Sequence, residues 1–158
     1  MNKIKSITIF SIILMIITSC SYQNMNSKDQ KKFNVQEFDI TGDNRASFII
    51  QKKIQRFSNE NSENRIKLSI ELNKDKSIHE KNIQNKVTKY SLTLSANVRI
   101  IELNSAKEMR RNFTVKRIYD VQDNYSDTVN NLKEANNTLI NIISDEILDQ
   151  LRIYFSQK

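Results

Sequence analysis

Apolar and polar positions follow two rhythms along this chain. The stretch Arg65-Ile66-Lys67-Leu68-Ser69-Ile70-Glu71-Leu72 repeats every second residue, placing Ile66, Leu68, Ile70 and Leu72 on one side and charged or hydroxyl residues on the other. A period of two is that of an extended strand with one face buried. Tyr90, Leu92, Leu94, Ala96, Val98 and Ile100 repeat it, opposed by Lys89, Ser91, Thr93, Ser95, Asn97 and Arg99. A third strand is expected from Phe113, Val115, Tyr119 and Val121, with Arg117 as the exception on that side. Residues 35–41 form a shorter β-like segment ending at Gly42-Asp43-Asn44, a turn cluster.

The second rhythm is helical. Ala46, Ile50, Ile54 and Phe57 recur at helical spacing, with Lys52, Lys53 and Arg56 on other faces, and Asn44 stands where a helix cap is wanted. Over residues 126–155, Val129, Leu132, Ala135, Leu139, Ile142, Ile143, Ile147, Leu151 and Tyr154 trace a longer stripe. Asp127 near its start and Arg152 near its end suit the helix dipole. Some 30 residues of helix run about 45 Å, the length of a sheet diagonal. Between the first two long strands, a polar connection over residues 73–85 carries the sole histidine, His79.

Strands with one polar face suit an antiparallel sheet covered on one side. The predicted fold class is α+β: two helices packed on one face of a roughly four-stranded, mostly antiparallel sheet, in the order β-α-β-β-β-α. Residues 33–158 are expected to form one such two-layer domain.

The N-terminus has a different grammar. Lys3 and Lys5 precede an apolar run, ITIFSIILMII over residues 7–17, which stops at Thr18-Ser19-Cys20. A membrane-spanning helix needs about twenty apolar residues, so this shorter run has the layout of a secretory signal over residues 1–19. Ile17-Thr18-Ser19-Cys20 resembles the bacterial lipobox. That resemblance implies cleavage before Cys20, thioether diacylation of its sulfur and acylation of the new amino terminus. One acyl chain anchors only marginally, at about 0.8 kcal/mol per buried methylene, whereas several hold firmly. Ser21 follows where an Asp often marks inner-membrane retention, which favours the outer membrane, with the domain on its periplasmic side. Residues 20–32 (CSYQNMNSKDQKK) then read as a lipidated flexible tether.

Composition sharpens this picture modestly. Cys20 is the only cysteine among 158 residues, and once lipidated it leaves no thiol for a disulfide or a thiolate metal site. Without Lys3 and Lys5 the chain keeps 23 basic against 18 acidic residues, a formal charge of +5. Such an excess favours anionic surfaces. For an exported lipoprotein the expected surface is anionic lipid or glycolipid rather than nucleic acid. No proline and one glycine, Gly42, occur in the chain.

Catalytic constellations do not emerge. His79 has no Ser, Cys or paired carboxylate at catalytic spacing, one glycine cannot build a phosphate loop, and neither a zinc-protease nor a calcium-loop motif occurs. Asp145, Glu146 and Asp149 read as the wet face of the last helix. The expectation is a binding or assembly protein, not an enzyme, without cofactor or metal. Lys107, Arg110, Arg111, Lys116 and Arg117 gather near the turn between the second and third long strands. Two readings stand for them: an ordinary solvated hairpin, or a tip contacting lipopolysaccharide, since guanidinium forks match phosphate oxygens. Sequons at Asn112, Asn124 and Asn136 are chance occurrences behind a bacterial lipobox.

The last third, RNFTVKRIYDVQDNYSDTVNNLKEANNTLINIISDEILDQLRIYF, resembles the end of the lipopolysaccharide-assembly lipoprotein family LptE, especially its alphaproteobacterial branch. The matching positions are Tyr119, Val121, Tyr125, Ala135, Asp145, Glu146, Ile147, Leu151, Tyr154 and Phe155. Thr88, Lys89, Tyr90, Leu92, Thr93 and Leu94 are similar to a family strand that precedes it. The family's Gly- and Pro-containing segment after the lipidated cysteine is absent, Cys20-Ser21-Tyr22-Gln23 standing there instead. The resemblance implies a non-catalytic lipoprotein that braces the LptD β-barrel translocon and helps place lipopolysaccharide at the cell surface. The alternative is a periplasm-facing lipoprotein that activates a cell-wall synthase or serves a transport system as an auxiliary subunit.

Overall fold

The computed structural model describes residues 33–156, so Cys20, the signal-like segment and the tether lie outside the described residues. The elements in chain order are β1 (Asn34–Thr41), α1 (Asn44–Phe57), β2 (Arg65–Lys81), β3 (Val87–Glu102), β4 (Glu108–Asp120) and α2 (Tyr125–Ser156). This is the anticipated β-α-β-β-β-α order, and the fold is α+β. The four strands lie in the sheet in sequence order, β1-β2-β3-β4. β1 pairs parallel with β2 while the other two pairings are antiparallel. The mixed character follows from connectivity: α1 intervenes between β1 and β2, and a parallel neighbour requires such a crossover.

Both helices cover one face. The alternating sets behave as expected: Ile66, Leu68, Ile70, Leu72, Leu92, Leu94, Ala96, Val98 and Ile100 are buried against Ala46, Ile50 and Ile54 of α1 and Ala135, Leu139, Ile143, Ile147 and Leu151 of α2. At one end of this core Phe33 meets Phe155, ring centroids 5.9 Å apart.

Three local readings need correction. The cap of α1 is Asp43, whose carboxylate accepts from the Ala46 N–H at 2.9 Å, rather than Asn44, which is already helical. In α2, Ile142 is exposed whereas Ile140, Leu148 and Phe155 are buried. The i, i+4 ladder from Ala135 to Phe155 sets the inward direction, and Ile142 lies off it.

The third correction concerns the polar connection at residues 73–85. β2 continues as strand to Lys81 and β3 begins at Val87, with a turn between them. Residues 73–81 are exposed throughout, so no apolar alternation marks them. Backbone pairing with β3, through Lys81 opposite Val87, keeps them extended. In the turn, the Asn82 carboxamide accepts from the N–H groups of Gln84 and Lys86, each at 3.0 Å. His79 therefore belongs to a strand, and a register slip between Ile78 and Glu80 makes it the extra residue of a bulge. β4 likewise starts earlier than expected, at Glu108, and ends before Val121.

Candidate functional site: the open sheet face and the basic strand

With the helices on one face, the other is left to polar side chains. Asp39 and Thr41 of β1, Ser69 and Glu71 of β2, Asn97 and Arg99 of β3, and Arg110 and Asn112 of β4 line an open basin of about 860 Å³ across all four strands. Alternation along each strand brings these types together, because every second residue of an extended chain faces the same way.

Charge in the basin is largely internally balanced. Glu108 sits between two guanidinium groups, 2.7 Å from Arg99 and 2.5 Å from Arg110. Hydrogen bonds from Arg99 and then Arg110 hold its carboxyl well down, at about 2. Lys67 lies 2.8 Å from Glu37, whose hydrogen bond raises the lysine above its ordinary value. Asn97 Nδ2 donates to Glu71 Oε2 at 3.3 Å. The face can meet a polar, hydrated surface without stranding a buried charge.

The five basic residues singled out in the sequence do not converge. Lys107 is in the β3–β4 turn, its ammonium 5.9 Å from the Tyr154 ring centroid and thus turned toward α2. Arg110 and Lys116 belong to the open face, while Arg111 and Arg117, on the alternate positions, belong to the helix side; Arg111 Nε reaches Gln150 Oε1 at 3.4 Å. Lys116 and Arg117 pair with Thr93 and Leu92, six residues down the strand from Arg110 and Arg111. That is about 20 Å at 3.3 Å per residue. Adjacency in sequence therefore spreads these cations over both sides of an edge strand. Only Lys107, Arg110 and Arg111 remain near the turn.

Sequence reasoning missed a clasp beside that turn. Glu102 is buried and accepts from the Tyr154 hydroxyl, and from Ser105 Oγ at 2.5 Å. The hydrogen bond to Glu102, with burial, pushes the Tyr154 phenol up to about 12. It missed as well the cation over paired rings: Lys76 Nζ lies 3.8 Å from the Tyr90 centroid, and Tyr90 stacks on Tyr119 at 5.8 Å. Lysine among polar neighbours gives no sequence signal of such a seat; only the strand register supplies it. Among the described residues, no group of three or more His, Cys, Asp or Glu could hold a metal ion.

No family model and no curated protein matches the chain. Solved structures do resemble it. A candidate lipoprotein from Caulobacter crescentus CB15 shares 10% identity at a TM-score of 0.55, covering 84% of this chain and 96% of that one. An uncharacterized lipoprotein B from Nitrosomonas europaea shares 19% identity at a TM-score of 0.57, covering 81% and 88%. The likeness establishes a common fold. It spans nearly the whole of both neighbours.

Proposed function

We propose that this chain is a non-catalytic, lipid-anchored lipoprotein of the outer membrane that partners an LptD-like β-barrel and assists lipopolysaccharide assembly. The observation that carries the reading is the shared fold: the described α+β domain superposes on nearly whole chains of proteins named as lipoproteins. The Ile17-Thr18-Ser19-Cys20 lipobox supplies the anchor independently of the fold. The polar open face, with Glu108 clamped between Arg99 and Arg110, is compatible with residence in a hydrated barrel lumen. Lipopolysaccharide contact at the β3–β4 turn falls to Lys107, Arg110 and Arg111, with Lys116 and Arg117 too far along the strand to share one phosphate group.

The test is co-purification from detergent extracts followed by mass spectrometry. An outer-membrane barrel protein is expected among the recovered partners, and its absence would sink the proposal. Depletion separates the alternative. A translocon subunit leaves lipopolysaccharide stranded in the inner membrane, whereas a cell-wall synthase activator alters peptidoglycan cross-linking. Labelling with a radioactive fatty acid should mark the wild type and not Cys20→Ala.

A further inference from the structure

β4 is an edge strand, and its outer side is unoccupied among the described residues. Two backbone bonds flank it and fix which residues face inward: Val121 N–H to Thr88 C=O at 2.8 Å, and Glu102 N–H to Lys107 C=O at 2.9 Å. The β3–β4 register runs between them without a bulge. Antiparallel alternation then turns the N–H and C=O groups of odd-numbered residues toward β3 and those of even-numbered residues toward the free side. Two of these outward carbonyls are taken, that of Arg110 by the Arg111 guanidinium and that of Asp120 by Asn131. The N–H and C=O groups of Asn112, Thr114, Lys116 and Ile118 are left pointing outward in an unbroken row.

Along the strand's interior the charge is of one sign, while Asp120 and, from α2, Glu134 line one pocket with Arg117 and Ile118 at its far end. Between Met109 and Tyr119 the strand carries Arg110, Arg111, Lys116 and Arg117 and no carboxylate. Arg110 shares Glu108 with Arg99; the other three have no ion pair among the described residues. Like charges placed opposite each other destabilise a strand pair, and opposite charges stabilise it. A second copy of β4 is therefore rejected. β1 of another copy offers only Glu37 and Asp39, both on the open side, and leaves Arg111 and Arg117 without counterions.

We propose that β4 receives an extended acidic segment of a partner protein as a fifth strand. The spacing of the cations dictates the pattern: two adjacent acidic residues, four uncharged ones, then two more acidic residues. Within the uncharged four, apolar residues lie opposite Phe113 and Val115 on the helix side and hydroxyl residues opposite Asn112 and Thr114 on the open side. The acid-pair spacing reads the same in either chain direction, whereas the order Val-Thr-Val-Thr meets this alternation in antiparallel addition. Backbone bonds supply the attachment and the flanking pockets the selection, as in other strand additions. The inference stands apart from the proposed outer-membrane role, since it needs only the edge and its charges.

Two synthetic peptides test it against the full chain: Glu-Glu-Val-Thr-Val-Thr-Glu-Glu and its counterpart with lysine at all four acidic positions. The acidic peptide should shift, and protect from exchange, the amides of Asn112, Thr114 and Lys116, and bind at least about tenfold tighter than the lysine peptide. The variant R110E/R111E/K116E/R117E should invert that preference, an outcome general destabilisation cannot produce. Thr114→Pro removes one outward N–H and leaves the β3 ladder intact, as edge positions allow, so it should weaken acidic-peptide binding. Should that variant fail to fold, the inverted preference still decides. Equal binding of the two peptides, shifts from neither, or self-association of the chain through this edge would overturn the proposal.

Discussion

Two neighbouring residues settle how β1 hands over to α1. Gly42 has φ of +109°, and a Cβ built there would lie 2.2 Å from the Leu72 carbonyl oxygen, in backbone that cannot yield. Gly42→Ala should cost about 1–3 kcal/mol in backbone strain alone, with the collision in addition, read as a lower urea midpoint. Asp43 caps the helix and pairs with Lys74. The hydrogen bond from Lys74, then that from Ala46, holds its carboxyl below the ordinary 3.8. A depressed folded value means that folding favours the ionised form. Its contribution is therefore full above about pH 4 and is lost as pH falls through the folded value. Asp43→Ala should cost about 1 kcal/mol at neutral pH. Asp43→Asn keeps a capping oxygen and should cost less, while flattening the acid limb of a stability–pH curve measured by urea titration.

At the scale of elements, α2 is where pattern and structure can be told apart by experiment. Leu139 is fully buried and Ile142 is 40% exposed. Leu139→Ala should cost about 2–5 kcal/mol, and Ile142→Ala no more than about 0.5 kcal/mol, both by chemical denaturation. Comparable losses would mean that α2 docks with a different face inward. The stripe was legible because a 3.6-residue period repeats over many turns, yet its flank was not: Ile142 and Ile143 are equally apolar, and only the docking direction separates them. The strand cores at Ile66–Leu72 and Leu92–Ile100 were legible for the same reason, each having one dry and one wet side. The outer half of β2 was not, because its side chains all see water and backbone pairing alone holds it extended. Asp43 and Asn44 are both good caps, so composition could not choose between them.

For the whole molecule, the same limit explains the basic residues. Five cations within eleven positions read as a cluster, but a strand sends neighbours to opposite faces and advances about 3.3 Å with each residue. What resulted is a charged edge rather than a charged tip. The hairpin formed by the ends of β2 and β3 raises a related question of purpose, since its exposed residues add little to the core. Replacing residues 83–85 by Asn-Gly, which joins Asn82 to Lys86 across their backbone bond, should change global stability by less than about 1 kcal/mol. A cooperative loss of several kcal/mol on thermal unfolding would show that the arm belongs to the folding unit after all.

The ring contact between Phe33 and Phe155 bears on where that arm can reach. It places the start and the finish of the described domain side by side, next to Arg65 and Glu102, where β2 begins and β3 ends. β2 then runs 17 residues to the opposite pole, about 55 Å of extended strand, and Ile83 stands fully exposed just beyond it. Whatever is joined to Phe33 is joined at the far end from Ile83. The sheet therefore has two unlike poles: a surface that held the chain at Phe33 would leave the hairpin about a strand's length away.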